Sequence, residues 1–385
     1  MKVPIHSALI LFADVIDSSM YSSVLGITGY AENLLKFQKL FTAIGSEYFK
    51  AQGLGSHWSM VDAKGDEGVI MFLSPEIKSY DIVYKAVQFS CEIKARMELI
   101  FKSAGVQDDS PKKMKLGIGI HYGQVAIVNK SGEVKAPDGI DDISRVEGYS
   151  INYAKRIESC SRLGKYSHVF LSKEASSLLQ GDPIVFEKHY ADLKGLAVQE
   201  EIHEIRSAFF EEMPINLKSI DAESFVDTYG TYADQLDLVR EPWLKGLVVS
   251  VLHNLMNKSM TGSMKETYRR RLSSFIWQKM YEDDPIILYF RAWECGREGK
   301  HTQRLHYLKK IVESYPYFVQ ARIQLAKACW EISKSSTDRA EKIIARDIAD
   351  ELSSKFPDSL TQEEKECFEG MRREAMKSSF NGMCS

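Results

Sequence analysis

The sequence predicts an α+β domain followed by an all-α domain, and three observations carry that reading. Residues 5–206 alternate short runs rich in branched and aromatic residues with longer stretches of helical apolar spacing, in the order β-α-β-β-α-β. That order is the ferredoxin-like pattern. A shift in composition over 209–222, with Pro214 and no periodicity, marks a linker. Everything beyond it reads as helix, so the predicted domains are 1–208 and 223–385.

The first strand is LILFADVIDSS (Leu9–Ser19), an apolar run that ends abruptly at Asp14. Such a run reads as a buried strand carrying a carboxylate out of the core. A carboxylate there is costly to desolvate unless something positive sits against it. A divalent metal is one solution and a buried Arg or Lys another. Asp17, three residues on, fits the start of the next helix and not a third ligand. Ala31–Ala51 places Leu34, Phe37, Phe41 and Ile44 at helical spacing. Next, VDAKGDEGVIMF (Val61–Phe72) sets a tight turn between two apolar segments, a hairpin with Asp66 at its turn, where it could face Asp14. A second helix spans roughly Ser79–Phe101. Lys115–Val128 is strongly β, and its Gly117, Gly119 and Gly123 indicate close packing or a bend. No helix start follows these glycines, so they do not form a dinucleotide site. Asn129–Asp142 reads as a loop, and Gly148–Ser159 (GYSINYAKRIES) as a helix with Asn152 and Arg156 on one face. Strand Val169–Leu171, a short helix and a β pair ending near Ile205 complete the domain.

In the second half, Pro285–Pro316 and Pro316–Pro357 each hold an aromatic- and alanine-rich helix, a polar turn and an amphipathic helix. This resembles a tetratricopeptide-like repeat of imperfect period, which would present a concave surface to a protein or peptide. A helical bundle serving dimer contact is the alternative. Arg269–Arg271 reads as a solvated basic face.

Composition excludes several classes. At 385 residues, 44% hydrophobic and 27% charged, the chain has the make-up of a soluble globular protein of two domains. A net charge of -3 offers no electrostatic footprint for nucleic acid. No run approaches the ~18 apolar residues of a membrane span. The six cysteines (Cys91, Cys160, Cys295, Cys329, Cys367, Cys384) show no C-x-x-C spacing and read as free thiols of a cytoplasmic protein.

Two strand-borne carboxylates, with an Asn and an Arg one helical turn apart, are the equipment for phosphoryl chemistry on a nucleoside triphosphate. Over about residues 5–206 the chain resembles a class III nucleotidyl cyclase domain, through FADVIDSS, KGDEGVIMF, GIGIHYGQV, INYAKRIES and LKGLAVQEEIHEI. The resemblance implies that Asp14 and Asp66, joined by the carbonyl of Val15, hold two Mn²⁺ or Mg²⁺ ions. It also implies that Asn152 orients the ribose and that Arg156 stabilises the transition state. In that family one site draws on two subunits, so a homodimer is implied. A surface salt bridge of Arg156 with Glu158 or Asp142 is the alternative reading. The substrate pocket would include Phe12, Asp62, Tyr149 and Lys194, whereas His121 reads as a packed core histidine.

The base-reading positions depart from the family. Adenylate cyclases carry a Lys four residues before the second metal Asp and an Asp three residues before the Asn, and guanylate cyclases carry Glu and Cys. Here the residues are Asp62 and Tyr149. A carboxylate cannot serve adenine N1, which has no proton to give. A tyrosine shortens the pocket, so a pyrimidine fits better. Asp62 could accept from uracil N3–H or the cytosine amino group, with UTP favoured and CTP next. A hairpin shifted by two residues would present Lys64 instead. The second Lys of a KGK motif is replaced by Leu196, with Lys194 preceding it. These features are similar to the pyrimidine cyclases of Pycsar anti-phage systems, which signal through a separate cyclic-nucleotide effector. An adenylate or guanylate cyclase with an atypical pocket, or a degenerate cyclase acting as a scaffold, are the other readings.

Overall fold

The computed structural model describes residues 5–50, 56–74, 76–103, 115–131, 143–195, 198–211, 241, 243–258, 261–278, 283–335, 339–357 and 360–381. Its centre is β1 (Ile5–Ile16), with β3 (Glu67–Leu73) antiparallel on one side and β4 (Lys115–Asn129) antiparallel on the other. With β2 (Trp58–Lys64), β6 (Val169–Ser172), β7 (Ile184–Ala191) and β8 (Glu200–Ala208), the sheet runs β2-β3-β1-β4-β6-β8-β7. A short strand, β5 (Ile143–Glu147), pairs with the end of β4. The sequence reading missed β5, in which only Ile143 and Val146 are buried. The β-α-β-β-α-β order is as expected.

One face of the sheet is covered by α1 (Ser18–Phe49) and α2 (Ser79–Ser103), whose Phe37, Phe41, Val83, Val87 and Phe89 are sealed against Leu9, Leu11 and Ile70. The first helix starts earlier than Ala31. It begins after Asp17 and is interrupted at Gly26 (φ 71, ψ 167), a conformation only glycine adopts cheaply. Asp17 stands at the helix start in the left-handed region (φ 55), and its side chain makes no capping bond.

The opposite face carries Ala8, Ile10, Phe12, Met71 and Leu73, closed in part by α3 (Tyr149–Ser159) through Ala154. Gly119 permits this seat. A Cβ there would lie 2.3 Å from the Glu158 amide nitrogen and 2.8 Å from the Ala154 carbonyl oxygen. The expectation of close packing at the glycines of β4 therefore holds.

After α4 (Lys173–Ser177) and the β7–β8 pair, the helical half packs directly on the sheet. Phe209 and Phe210, the first residues of the expected linker, are buried, and the Phe210 N–H donates to Ser250 Oγ at 2.9 Å. Residues 212–222 of that linker lie outside the described residues. Ser250 belongs to α5 (Leu244–Lys258), which is followed by α6 (Gly262–Ile276). Two helical hairpins follow, α7 (Pro285–Arg297) with α8 (His301–Ser314), and α9 (Val319–Ser335) with α10 (Arg339–Lys355), then α11 (Gln362–Asn381). Both hairpins fall on the two segments that resemble each other in sequence. Their shared core holds Ala292, Leu305, Ala326, Ala349 and Phe368. Arg269 and Arg270 pair with Glu266 on the surface, as expected of a solvated face. Five cysteines are free thiols, and Cys384 is outside the described residues.

Candidate active site

The β2–β3 hairpin closes in two residues, Gly65 and Asp66, because Lys64 pairs with Glu67. Gly65 at the first turn position has φ 61, which suits a two-residue turn that matches strand twist. The turn places Asp66 beside the end of β1, where the Val15 N–H donates to the Asp66 carbonyl at 3.1 Å. Asp14 is opposite Glu67 across the β1–β3 ladder. Desolvation pushes the Asp14 carboxyl above its ordinary pKa. The Asp66 and Glu67 charges add to this, while Lys155 and Arg162 oppose it. The three residues expected to hold metal are thus brought together: two carboxyls, and Val15 with its side chain in the core.

These donors suit a hard divalent cation. Mg²⁺ is held through one or two carboxylates, with substrate phosphates and water completing the shell. Among the described residues no cluster of three or more His, Cys, Asp or Glu side chains could hold a metal ion, so phosphate oxygens and water would supply the remaining ligands.

Cross-strand pairing sorts the substrate residues into rows. Asp62 is opposite Val69, which is opposite Phe12, which is opposite Gly119. The next row is Lys64, Glu67, Asp14 and Gly117. Residues in one row share a face, and residues two apart on a strand share it too. Asp62 and Lys64 therefore face the same side as Asp14, with Lys64 in the carboxylate row and Asp62 one row behind it. The exposed Asp62 uses Oδ1 to accept the Ala63 N–H at 2.9 Å, and among the described residues Oδ2 has no partner. Phe12 is only 7% exposed.

Residues of α3 divide between two directions. Lys155 turns inward, ion-paired with Glu67 and 3.4 Å from Glu158 Oε2, its Nζ 5.4 Å from the centroid of the Phe12 ring. Asn152 and Arg156 lie about 60–100° round the helix from it. Asn152 is exposed and Arg156 half-exposed. Among the described residues Arg156 makes neither a hydrogen bond nor an ion pair, so the expected alternative of a Glu158 salt bridge does not occur: Glu158 is taken by Lys155. Asp142 lies outside the described residues. The guanidinium rests near Gly195 (φ 83) in the β7–β8 connection, where a Cβ would be 3.3 Å from Nη2. Exposed Lys194 is on the same connection, and Leu196 is outside the described residues. Tyr149 is 56% exposed and stacks on Tyr153, ring centroids 5.6 Å apart. Tyr149, Asn152 and Arg156 thus form an outward stripe that does not pair with Asp14 or Asp66 within the protomer.

His121 is a core residue, as expected. Its Nδ1 is 2.9 Å from Ser172 Oγ, and burial lowers its pKa to about 4. Sequence reasoning missed Lys155, Glu67 and Glu158. The signal was present in Glu158, a carboxylate four residues from Ala154 on the buried side of the helix.

In the helical half, Tyr289, Trp293, Arg297, Arg304, Leu308 and Gln324 line a cleft of about 260 Å³ between α7, α8 and α9. The Arg297 guanidinium lies over the Trp293 ring at 4.9 Å. No described helix is long and apolar enough to cross a membrane.

No family model and no curated protein matches the chain. Solved structures similar to it include the adenylyl cyclase CyaB from P. aeruginosa, at 18% identity and TM-score 0.41, covering 53% of this chain and 96% of that one. The guanylyl cyclase Cya2 matches at 20% identity and TM-score 0.40, covering 56% and 98%. A class III adenylyl cyclase-like ATP-binding protein from Pseudomonas aeruginosa matches at 14% identity and TM-score 0.30, covering 80% of this chain and 59% of that one. With each of these TM-scores below 0.5, the functional reading rests on the residues themselves.

Proposed function

We propose that this protein is a nucleotidyl cyclase that converts a pyrimidine nucleoside triphosphate, UTP before CTP, to its 3′,5′-cyclic monophosphate and pyrophosphate. The observation that carries the reading is the meeting of Asp14 and Asp66 at the C-terminal end of β1, with Glu67 beside them. Asp14, Asp66 and the Val15 carbonyl would hold Mn²⁺ or Mg²⁺. Two such ions, when bound, activate the ribose 3′-oxygen and neutralise the departing pyrophosphate.

The remaining chemistry belongs to this chain. The 3′-oxygen loses its proton and bonds to the α-phosphorus as the bond to pyrophosphate breaks. Charge gathers on the non-bridging oxygens, and Arg156, whose guanidinium makes no hydrogen bond or ion pair among the described residues, is the group to receive it. Asn152, on the same stripe, orients the ribose. Both point out of the protomer, which fits a homodimer whose sites combine Asp14 and Asp66 of one subunit with Asn152 and Arg156 of the other. Asp62 reads the base through its uncommitted oxygen, Phe12 packs beneath it, Tyr149 shortens the pocket, and Lys194 meets the terminal phosphate. The helical half, through its aromatic and arginine-lined cleft, engages a protein or peptide. The product serves a separate effector in anti-phage defence, in the cytoplasm.

Incubating the full chain with each of four nucleoside triphosphates and Mn²⁺ tests this reading. Cyclic UMP or cyclic CMP is the expected product, and the Asp66→Ala variant yields none. Strong preference for ATP refutes the pyrimidine assignment, and absence of any cyclic product refutes the activity.

A further inference from the structure

A strand-end carboxylate needs a cation beside it, and in this chain one is built in. Lys155 reaches from α3 to Glu67 on β3, lies 3.4 Å from Glu158, and places its charge against Asp14. Burial alone would lower its pKa, but its carboxylate partners outweigh burial and hold the ammonium above its ordinary value. That one ammonium contacts Glu67 and Glu158 and has Asp14 within its field, and Arg162 is a second cation whose field reaches Asp14.

We propose that Lys155, held on Glu67 and Glu158, is a tethered counter-cation of the metal site, which balances the carboxylates while no divalent ion is bound and opposes the ion that binds there. The inference rests on the metal-holding role of Asp14 and Asp66 proposed above. The geometry supplies the tether. Glu67 is in the Asp14 row, and Glu158, one turn along the same helix, is buried where the ammonium can lean on it. The ammonium sits over the Phe12 ring, 5.4 Å from its centroid, and Phe12 is two residues from Asp14 on the same strand face. Lys155 thereby sets the divalent-ion concentration at which the site fills. Two like charges near Asp14 repel, so an ion binds there against the field of Lys155.

The test is Mn²⁺ binding to the full chain, read from the resonance signal of the free ion, in wild type, Lys155→Gln and Lys155→Arg. Lys155→Gln should bind Mn²⁺ about tenfold more tightly, ~1.4 kcal/mol, while its metal-free form melts below wild type. Lys155→Arg should bind within about twofold of wild type by the same measure. Lys155→Met, which keeps an unbranched apolar side chain without the charge, gives the same reading if the Gln variant does not fold. Unchanged or weaker binding in the neutral variants overturns the role of Lys155. If wild type binds Mn²⁺ no better than Asp66→Asn, the metal-holding role itself fails, and the inference falls with it.

Discussion

Gly119→Ala should disable the protein although residue 119 touches no substrate. The new Cβ would sit 2.3 Å from the Glu158 nitrogen, 2.6 Å from its Cα and 2.8 Å from the Ala154 carbonyl oxygen. Ordinary contact begins near 3.4 Å, so helix α3 must retreat by 3.4 − 2.3 ≈ 1.1 Å or the strand must bow away. All three obstructing atoms are backbone, so no rotamer change relieves them. Overpacking of this kind costs about 1–3 kcal/mol, a fall in melting temperature of roughly 3–8 °C. The functional effect is larger, because α3 carries Asn152, Lys155 and Arg156. A displacement of about 1 Å in catalytic groups costs on the order of 10²-fold in rate. The assay pairs a thermal melt with cyclic-nucleotide production in Mn²⁺. A variant that melts with wild type and turns over within about threefold of it would show that the seat of α3 on β4 does not position the site.

Three further outcomes follow from the same geometry. Asp66→Ala and Arg156→Ala should each be inactive, and mixing the two should restore about a quarter of wild-type turnover if sites are shared between subunits; no recovery on mixing would argue for sites within one protomer. Tyr149→Ala should open the base pocket and raise the ATP-to-UTP turnover ratio by about tenfold or more, measured by competing the two triphosphates. Burial pushes the Asp284 carboxyl up to about 6 from 3.8, against the Ile287, Ser207 and Ile286 hydrogen bonds that lower it. Between those values the folded chain keeps a proton that the unfolded chain has released, so stability falls as pH rises from 3.8 to 6. Asp284→Asn should remove about 1–2 kcal/mol of that slope, read from denaturant melts across the window; an identical slope in the variant would place the titration elsewhere.

Much of this architecture is legible in the chain because its signals are local. The apolar run ending at Asp14, the Gly65–Asp66 turn and the helical spacing of Asn152 and Arg156 each depend on a few consecutive residues. What escaped depends on pairing at a distance. Strand β5 exists because Ala126–Asn129 offers it an edge, and ISRVE alone shows little β character. Lys155 looks like any helix-surface lysine until the fold brings Glu67, 88 positions away, against it. The break at Gly26 hid the first turns of α1, since the Ser18–Leu25 piece before it is too short to show a clear apolar stripe. Phe209 and Phe210 read as the start of a linker because the surface that buries them, on α5, is remote in sequence.

The junction between sheet and helices has a practical consequence for anyone dividing this protein. Asp284 caps α7 with Ile286 and Ile287 while accepting from Ser207 at the end of β8. Nearby, Gly246 abuts the Ala208 carbonyl so tightly that a Cβ would come within 2.3 Å. Cutting the chain after residue 208 would remove Phe209 and Phe210 and strip the underside of β8 of its cover. A fragment made that way would bare a greasy flank and clump. The same seam gives a load on the helical half a short lever to β8, then β6, and so to the strand on which α3 rests.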